Sequence, residues 1–217
     1  MEPRSRRSVR RVFGDCGLRP NLPFRDSYNR DVMRHLKPTA LAVFGLLAVG
    51  AFARQDHDLI KAGDKAPDFS VVGTDGKTHT IASLTKDGPV FLYFVKQNCG
   101  ANPLAVPLFN QLYGAYGKKA QFVGVMDADK GGFDDWKSTF KGQFVTLLDK
   151  NEKIIHGYGV AFSQTTVMIG KDGKVAKVFP GFGKESMSSL NASLAGAAKV
   201  GVQNVDLSNA PTRPRFG

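Results

Sequence analysis

Six residues, Val90-Phe-Leu-Tyr-Phe-Val95, constrain this chain more than any other stretch. The run is apolar on both faces. It lacks the alternation of a strand with one wet side, so it predicts a central strand in a sheet covered on both faces. A short polar loop follows, and then helical spacing over 103–116, with Leu104, Pro107, Leu108, Leu112 and Ala115 as the apolar positions. Pro107 is placed to kink that helix. Cys99 lies in the loop between strand and helix. The unpaired N–H groups and the dipole of a helix start favour a thiolate there, and the thiolate is the reactive form of cysteine.

The rest of the pattern extends the same architecture. Residues 69–72 and 78–81 read as a hairpin around Asp75-Gly76. A second central strand is expected over 121–126, and an amphipathic helix over 133–140 after a Gly-Gly break. A short strand over 144–147 and a short helix over 152–158 come next. A hairpin of 165–169 and 175–179 and a closing helix over 186–198 complete the order. Strands alternating with helices, then a terminal hairpin and helix, predict a mixed sheet with helices on both faces. One domain of residues 63–200 fits ordinary domain sizes. Residues 54–62 read as a linker, and the polar, Pro-containing tail of 201–217 is expected to be disordered.

The N-terminal fifty residues read as targeting. Ala40 to Ala53 is apolar and uncharged, preceded by Met33-Arg34-His35-Leu36-Lys37 and closed by Ala51-Phe52-Ala53. This is a secretory signal over 33–53, with an uncleaved anchor or a buried helix as the alternatives. Residues 1–32 carry eight arginines and no amphipathic period. They are expected to be a disordered basic leader, either a long n-region or sequence upstream of a true start at Met33.

Setting residues 1–53 aside changes the charge. They hold 10 Lys+Arg and 4 Asp+Glu, which leaves 20 basic and 15 acidic residues and reduces the formal +11 to about +5. A mildly basic domain with scattered charge gives no case for nucleic acid. Cys16 leaves with the leader, so the exported domain keeps one cysteine and no internal disulfide. A lone thiol in an oxidising compartment is open to oxidation or mixed-disulfide formation, unless it is buried and inert.

Other candidates are weaker. His57, His79 and His156 show no metal-ligand spacing, so no metal site and no cofactor is expected. Asp127, Asp129, Asp134 and Asp135 read as loop and helix-start carboxylates. Gly181-Phe-Gly183 lacks the rest of a phosphate loop.

Five segments in this order resemble the thioredoxin-like superfamily, in its redoxin branch (alkyl hydroperoxide reductase and thiol-specific antioxidant, AhpC/TSA). Gly63-Asp-Lys-Ala-Pro-Asp-Phe69 is similar to that branch's opening motif. Cys99 falls at the attacking cysteine and Pro107 at the helix kink. Asp149 to Val160 resembles the approach to the active-site loop, and Thr165 to Lys174 the penultimate hairpin. The likeness covers about residues 60–198. It implies a thioredoxin-like α/β fold: a central mixed β-sheet flanked by helices on both faces, with an N-terminal β-hairpin extension.

The departures shape what the resemblance implies. Asn102 stands at the second place of Cys-x-x-Cys, so no resolving thiol lies in the domain. Ser163 or Gln164 stands where the family has a cis-proline. Leu92 and Lys96 stand at the Pro and Thr of the peroxidase motif, and Gln164 lies near the place of its Arg.

The expected function is an exported thiol oxidoreductase or antioxidant. Cys99 attacks a disulfide or a hydroperoxide, and an external thiol or disulfide protein resolves and reduces it. Lys96 is the local cation that supports a thiolate, against a solvated loop lysine. Asn102 donates to the sulfur or caps the helix. Gln164 and Thr165 line the thiol pocket. The protein is expected in the periplasm or outside the cell, with a membrane tether through residues 40–53 as the alternative. The competing reading is a redox-inactive thioredoxin-fold binding module.

Overall fold

A computed structural model describes residues 58–217. The expected leader of 1–32, the signal or anchor of 33–53 and the first four linker residues, 54–57, lie outside the described residues. A five-stranded sheet of order β5-β4-β3-β6-β7 forms the centre. Its strands are β3 (Val90–Val95), β4 (Gln121–Met126), β5 (Thr146–Leu148), β6 (Thr165–Ile169) and β7 (Val175–Phe179). β3 pairs parallel with β4 and antiparallel with β6, and β4 pairs parallel with β5. The sheet is therefore mixed, and the fully apolar run occupies its middle.

Period-two alternation on β3 feeds two separate cores. Phe91, Tyr93 and Val95 face one side with α2 (Asn102–Tyr116), α3 (Lys130–Phe140) and α5 (Lys184–Ala198). Val90, Leu92 and Phe94 face the other with α1 (Ile81–Thr85) and α4 (Lys153–Gly157). The small hairpin β1 (Val71–Val72) and β2 (Thr78–His79) reaches the β5 edge through the Thr74 N–H, which donates to the Thr146 carbonyl at 2.9 Å. That edge is thus covered rather than open.

Local details depart from the sequence reading. Helix α3 starts at Lys130, so Gly131 and Gly132 lie inside its first turn instead of breaking it. Asp129 caps it by accepting the Gly132 N–H at 3.0 Å, and first-turn N–H groups need no intrahelical acceptor. Of the five apolar positions that the spacing marks on α2, Leu108 and Leu112 are buried, whereas Pro107, Ala115 and Leu104 are exposed, Leu104 by 47%. Ala105, Val106 and Phe109, which the spacing did not single out, complete the buried face.

The largest correction is the tail. Residues 201–217, expected to be disordered, are laid along the domain through specific bonds. Ala210 is buried, Val205 and Leu207 pack on the aromatic core, and Arg215 pairs antiparallel with Phe182. Polar composition hid this because the anchors are mainly backbone groups, which composition does not report.

Candidate active site

The site begins with a fully buried tyrosine. Tyr93 carries the one polar tip in the apolar β3 run, and a buried hydroxyl there requires a partner. That partner is Gln164, whose Oε1 accepts the Tyr93 O–H. Gln164 is itself fully buried, just before β6, on the strand that β3 pairs with. Its φ of 70° is in the left-handed region, which a glutamine adopts at a cost of about 1–2 kcal/mol. Two sets of bonds hold it there: its N–H donates to the Phe94 carbonyl at 2.8 Å, and its side chain is bonded at both ends.

The Gln164 amide then reaches the sulfur. Its Nε2 donates to Asn102 Oδ1 at 2.9 Å and to Cys99 Sγ at 3.5 Å. From the other side, the N–H of Ala101 donates to Sγ at 3.4 Å. Ala101 is the N-cap residue of α2, so the thiol sits at that helix start, as the strand–loop–helix pattern predicts. Two donors, one from the main chain and one from a buried amide, thus converge on one sulfur. Burial, and then the charge of Cys99, push the Tyr93 hydroxyl well above its ordinary value. Tyr93 is therefore a permanent donor to Gln164 and not a proton exchanger.

Asn102 is fully buried and neither caps α2 nor donates to the sulfur. Its Nδ2 donates to the carbonyls of Lys96 and Gln97 at 3.0 and 3.1 Å. It thereby fastens the loop that carries Cys99. Lys96 contributes its backbone: its N–H donates to Ser163 Oγ at 2.9 Å. Among the described residues its ammonium makes no hydrogen bond to the sulfur. Thr165 is buried and donates its hydroxyl to the Phe162 carbonyl at 3.1 Å, which fixes the turn before β6 rather than touching the thiol. Pro107 lies inside α2 on its exposed side.

Sequence reasoning missed Tyr93, and assigned Ser163 and Asp127 no part in holding this loop. Asp127 Oδ1 accepts the Gln97 N–H at 2.7 Å, fixing the loop from the β4 side. The signal for Tyr93 was present: one hydroxyl in an otherwise hydrocarbon strand. No local signal marks Ser163 or Asp127.

Cys99 is 8% exposed and is among the residues at the edge of a surface depression of about 430 Å³. Gln97, Pro103, Trp136 and Phe140 are among its walls. Among the described residues no group of His, Cys, Asp and Glu is placed to hold a metal ion, and no helix is long and apolar enough to cross a membrane. Asp129 instead pairs with Lys150 at 2.9 Å, and Asp134 with Lys130 at 2.5 Å.

Comparison with known proteins agrees with this fold. The AhpC/TSA family model matches residues 62–178. The chain is 33% identical over 138 residues to the thiol-disulfide oxidoreductase ResA of Bacillus thuringiensis (strain Al Hakam), covering 63% of this chain and 78% of that one. Among solved structures it is similar to a putative thiol:disulfide interchange protein DsbE from Chlorobium tepidum. That match has 29% identity and a TM-score of 0.56, over 65% of this chain and 99% of that one. It also shares its fold with the peroxidoxin BcpB from Mycobacterium tuberculosis, at 21% identity and a TM-score of 0.51, over 64% and 97% of the two chains. The likeness to thiol-disulfide oxidoreductases supports thiol oxidoreductase activity.

Proposed function

Because the chain belongs to the AhpC/TSA family, we propose that it carries out thiol–disulfide exchange on protein disulfides, with Cys99 as the nucleophile. The observation that carries this is the convergence of the Ala101 N–H and the Gln164 amide on Cys99 Sγ. The Cys99 thiolate attacks one sulfur of a substrate disulfide. A new S–S bond forms, the substrate S–S bond breaks, and the leaving sulfur departs as a thiolate that takes a proton. Cys99 is the only cysteine in residues 58–217, so the second step needs an external dithiol. One of its thiolates attacks Cys99, releasing the substrate's other thiol. Its second thiol then closes the external disulfide and frees Cys99.

Disulfide exchange is favoured over peroxide reduction on the residues around the sulfur. Lys96 and Leu92 stand where the peroxidase motif has Thr and Pro, and Lys96 offers the site its backbone only. The reading extends to place. With residues 33–53 as an export signal, or 40–53 as a tether, the thiol works outside the cytoplasm, where disulfide substrates persist.

The test compares wild type with Cys99→Ser. Reduced wild-type protein incubated with oxidised glutathione is expected to gain a mixed disulfide at Cys99 by mass. It should also catalyse exchange in the presence of a dithiol, while Cys99→Ser falls to the uncatalysed background. Equal rates for the two proteins would leave the chain as a binding module. Sulfenic acid at low peroxide, formed faster than the mixed disulfide, would move the assignment to peroxide.

A further inference from the structure

The tail does more than cover the core. It leaves α5, and the Gln203 N–H donates to Tyr116 Oη at 2.7 Å, beside the C-terminal end of α2. It then runs back along that helix. Asp206 exchanges two bonds with the Gln111 amide, at 3.0 and 3.3 Å. The Pro211 carbonyl accepts the Lys184 N–H at 2.8 Å, and Arg215 exchanges two backbone bonds with Phe182, at 2.9 and 2.8 Å. Phe216 packs at a tilt against Phe162, with ring centroids 5.5 Å apart. Last, the Gly217 carbonyl accepts the Ser163 N–H at 3.2 Å, and Gly217 lies directly on Cys99. A β-carbon added to Gly217 would collide with Cys99 Sγ.

The surface under this segment is shaped to receive it. At Gly181, with φ of 64°, a β-carbon would collide with the Arg215 carbonyl. At Gly183 it would stand 2.9 Å from Pro214 N and 3.0 Å from Pro214 Cα. Gly181-Phe-Gly183, which is no phosphate loop, is a bare stretch of backbone on which the tail lies. The root and the tip of the tail differ in attachment. Residues 203–210 are tied to two buried side chains, Tyr116 and Asn191, and end on buried Ala210. Residues 212–217 are exposed throughout, and the aromatic pair they make joins two exposed rings, Phe216 and Phe162, 46% and 59% exposed. A firm root with a lightly held tip is the pattern of a segment that opens locally without global unfolding.

We propose that residues 211–217 are an intramolecular strap that caps Cys99 and must lift before a protein disulfide can reach the sulfur. The strap bonds the site through backbone groups, as an extended peptide would, so a substrate peptide and the strap exclude one another. The proposal rests on the disulfide-exchange reading for its consequence, though not for its geometry.

The strap is tested by the native-state alkylation rate of Cys99 with iodoacetamide in three proteins: the full chain, the chain lacking 211–217, and Gly217→Ala. Exchange with oxidised glutathione is measured on the same samples. Removing the strap is expected to speed alkylation by about tenfold or more, the factor that follows from ~1.4 kcal/mol of lost protection. Gly217→Ala should move the same way, because its methyl cannot share the sulfur's space. A synthetic peptide of residues 203–217 added to the shortened chain should slow the reaction again. If the shortened chain loses its cooperative melting transition, Gly217→Ala decides alone. Alkylation rates within about twofold of the full chain in the folded variants would overturn the strap, whatever the exchange assay gives. Faster alkylation with no exchange in any of the three proteins would keep the strap and remove the oxidoreductase reading.

Discussion

Two buried tyrosines on the same face of the domain use the same chemistry for different ends. Tyr116, at the end of α2, donates to Asn191 Oδ1, whose Nδ2 donates to the Gln203 carbonyl at 3.1 Å, while the Gln203 N–H returns to Tyr116 Oη. That ring closes on backbone, and every strong group in it is satisfied. Tyr93, in the middle of the sheet, donates to Gln164, whose amide splits between Asn102 and Cys99. This second network ends on sulfur, a weak acceptor while neutral and a stronger one as a thiolate. A closed network makes a peg, whereas one that ends on sulfur holds its last donor against a reactive atom. Each meets Cys99 from a different side: the Tyr93 network from within the sheet, the Tyr116 ring through the tail that it roots.

The most severe test of the contrast is Gln164→Leu. It leaves the Tyr93 hydroxyl and Asn102 Oδ1 without partners in a dry core and removes one of the two donors to Sγ. A loss of about 3 kcal/mol is expected in denaturant unfolding, together with slower disulfide exchange at neutral pH. Unchanged exchange in a folded Gln164→Leu protein would separate the network from the thiol.

Tyr116→Phe should cost less, about 1–2 kcal/mol, because the exposed Gln203 N–H can turn to water and only Asn191 Oδ1 loses a partner in a buried place. Its distinguishing effect is on the strap. Loosening the root should raise the Cys99 alkylation rate while leaving the bonds to Sγ intact. If Tyr116→Phe and Gln164→Leu alter exchange in the same sense and degree, the two networks are not separate devices.

The smallest effect is on pH dependence. The Tyr93 hydroxyl is raised above its ordinary 10.0 by burial first and then by Cys99. The folded state therefore disfavours the phenolate. Stability is fully present below pH 10 and falls as pH rises beyond it, because the unfolded chain ionises first. Tyr93→Phe should remove this part of the alkaline slope. An identical slope in wild type and variant, measured by denaturant unfolding across that range, would show that Tyr93 is not held neutral by the fold.

How far the sequence could be read differs along the site. Val90 to Val95 and the spacing of α2 were legible because periodicity is local, and they place Cys99 at a strand-to-helix junction without further information. The role of Asn102 was not legible. A residue at the start of a helix has capping as its local option, and only the folded loop brings the Lys96 and Gln97 carbonyls to its amide. The tail was misread for the same reason. Pro-rich polar composition reports little apolar burial, yet this tail is tied largely through main-chain groups against Phe182, Ser163 and Lys184.

By itself the sequence determined the mixed sheet, the order of its elements and one cysteine at the start of a helix, because each rests on patterns a few residues long. Only the tertiary structure decided what touches the sulfur. Gln164 is 65 residues away along the chain and arrives because β6 pairs antiparallel with β3. Gly217 arrives because bare backbone at Gly181 and Gly183 lets the tail lie close. Side-chain identity is written locally, but a bond between distant groups exists only once strands have paired and loops have closed.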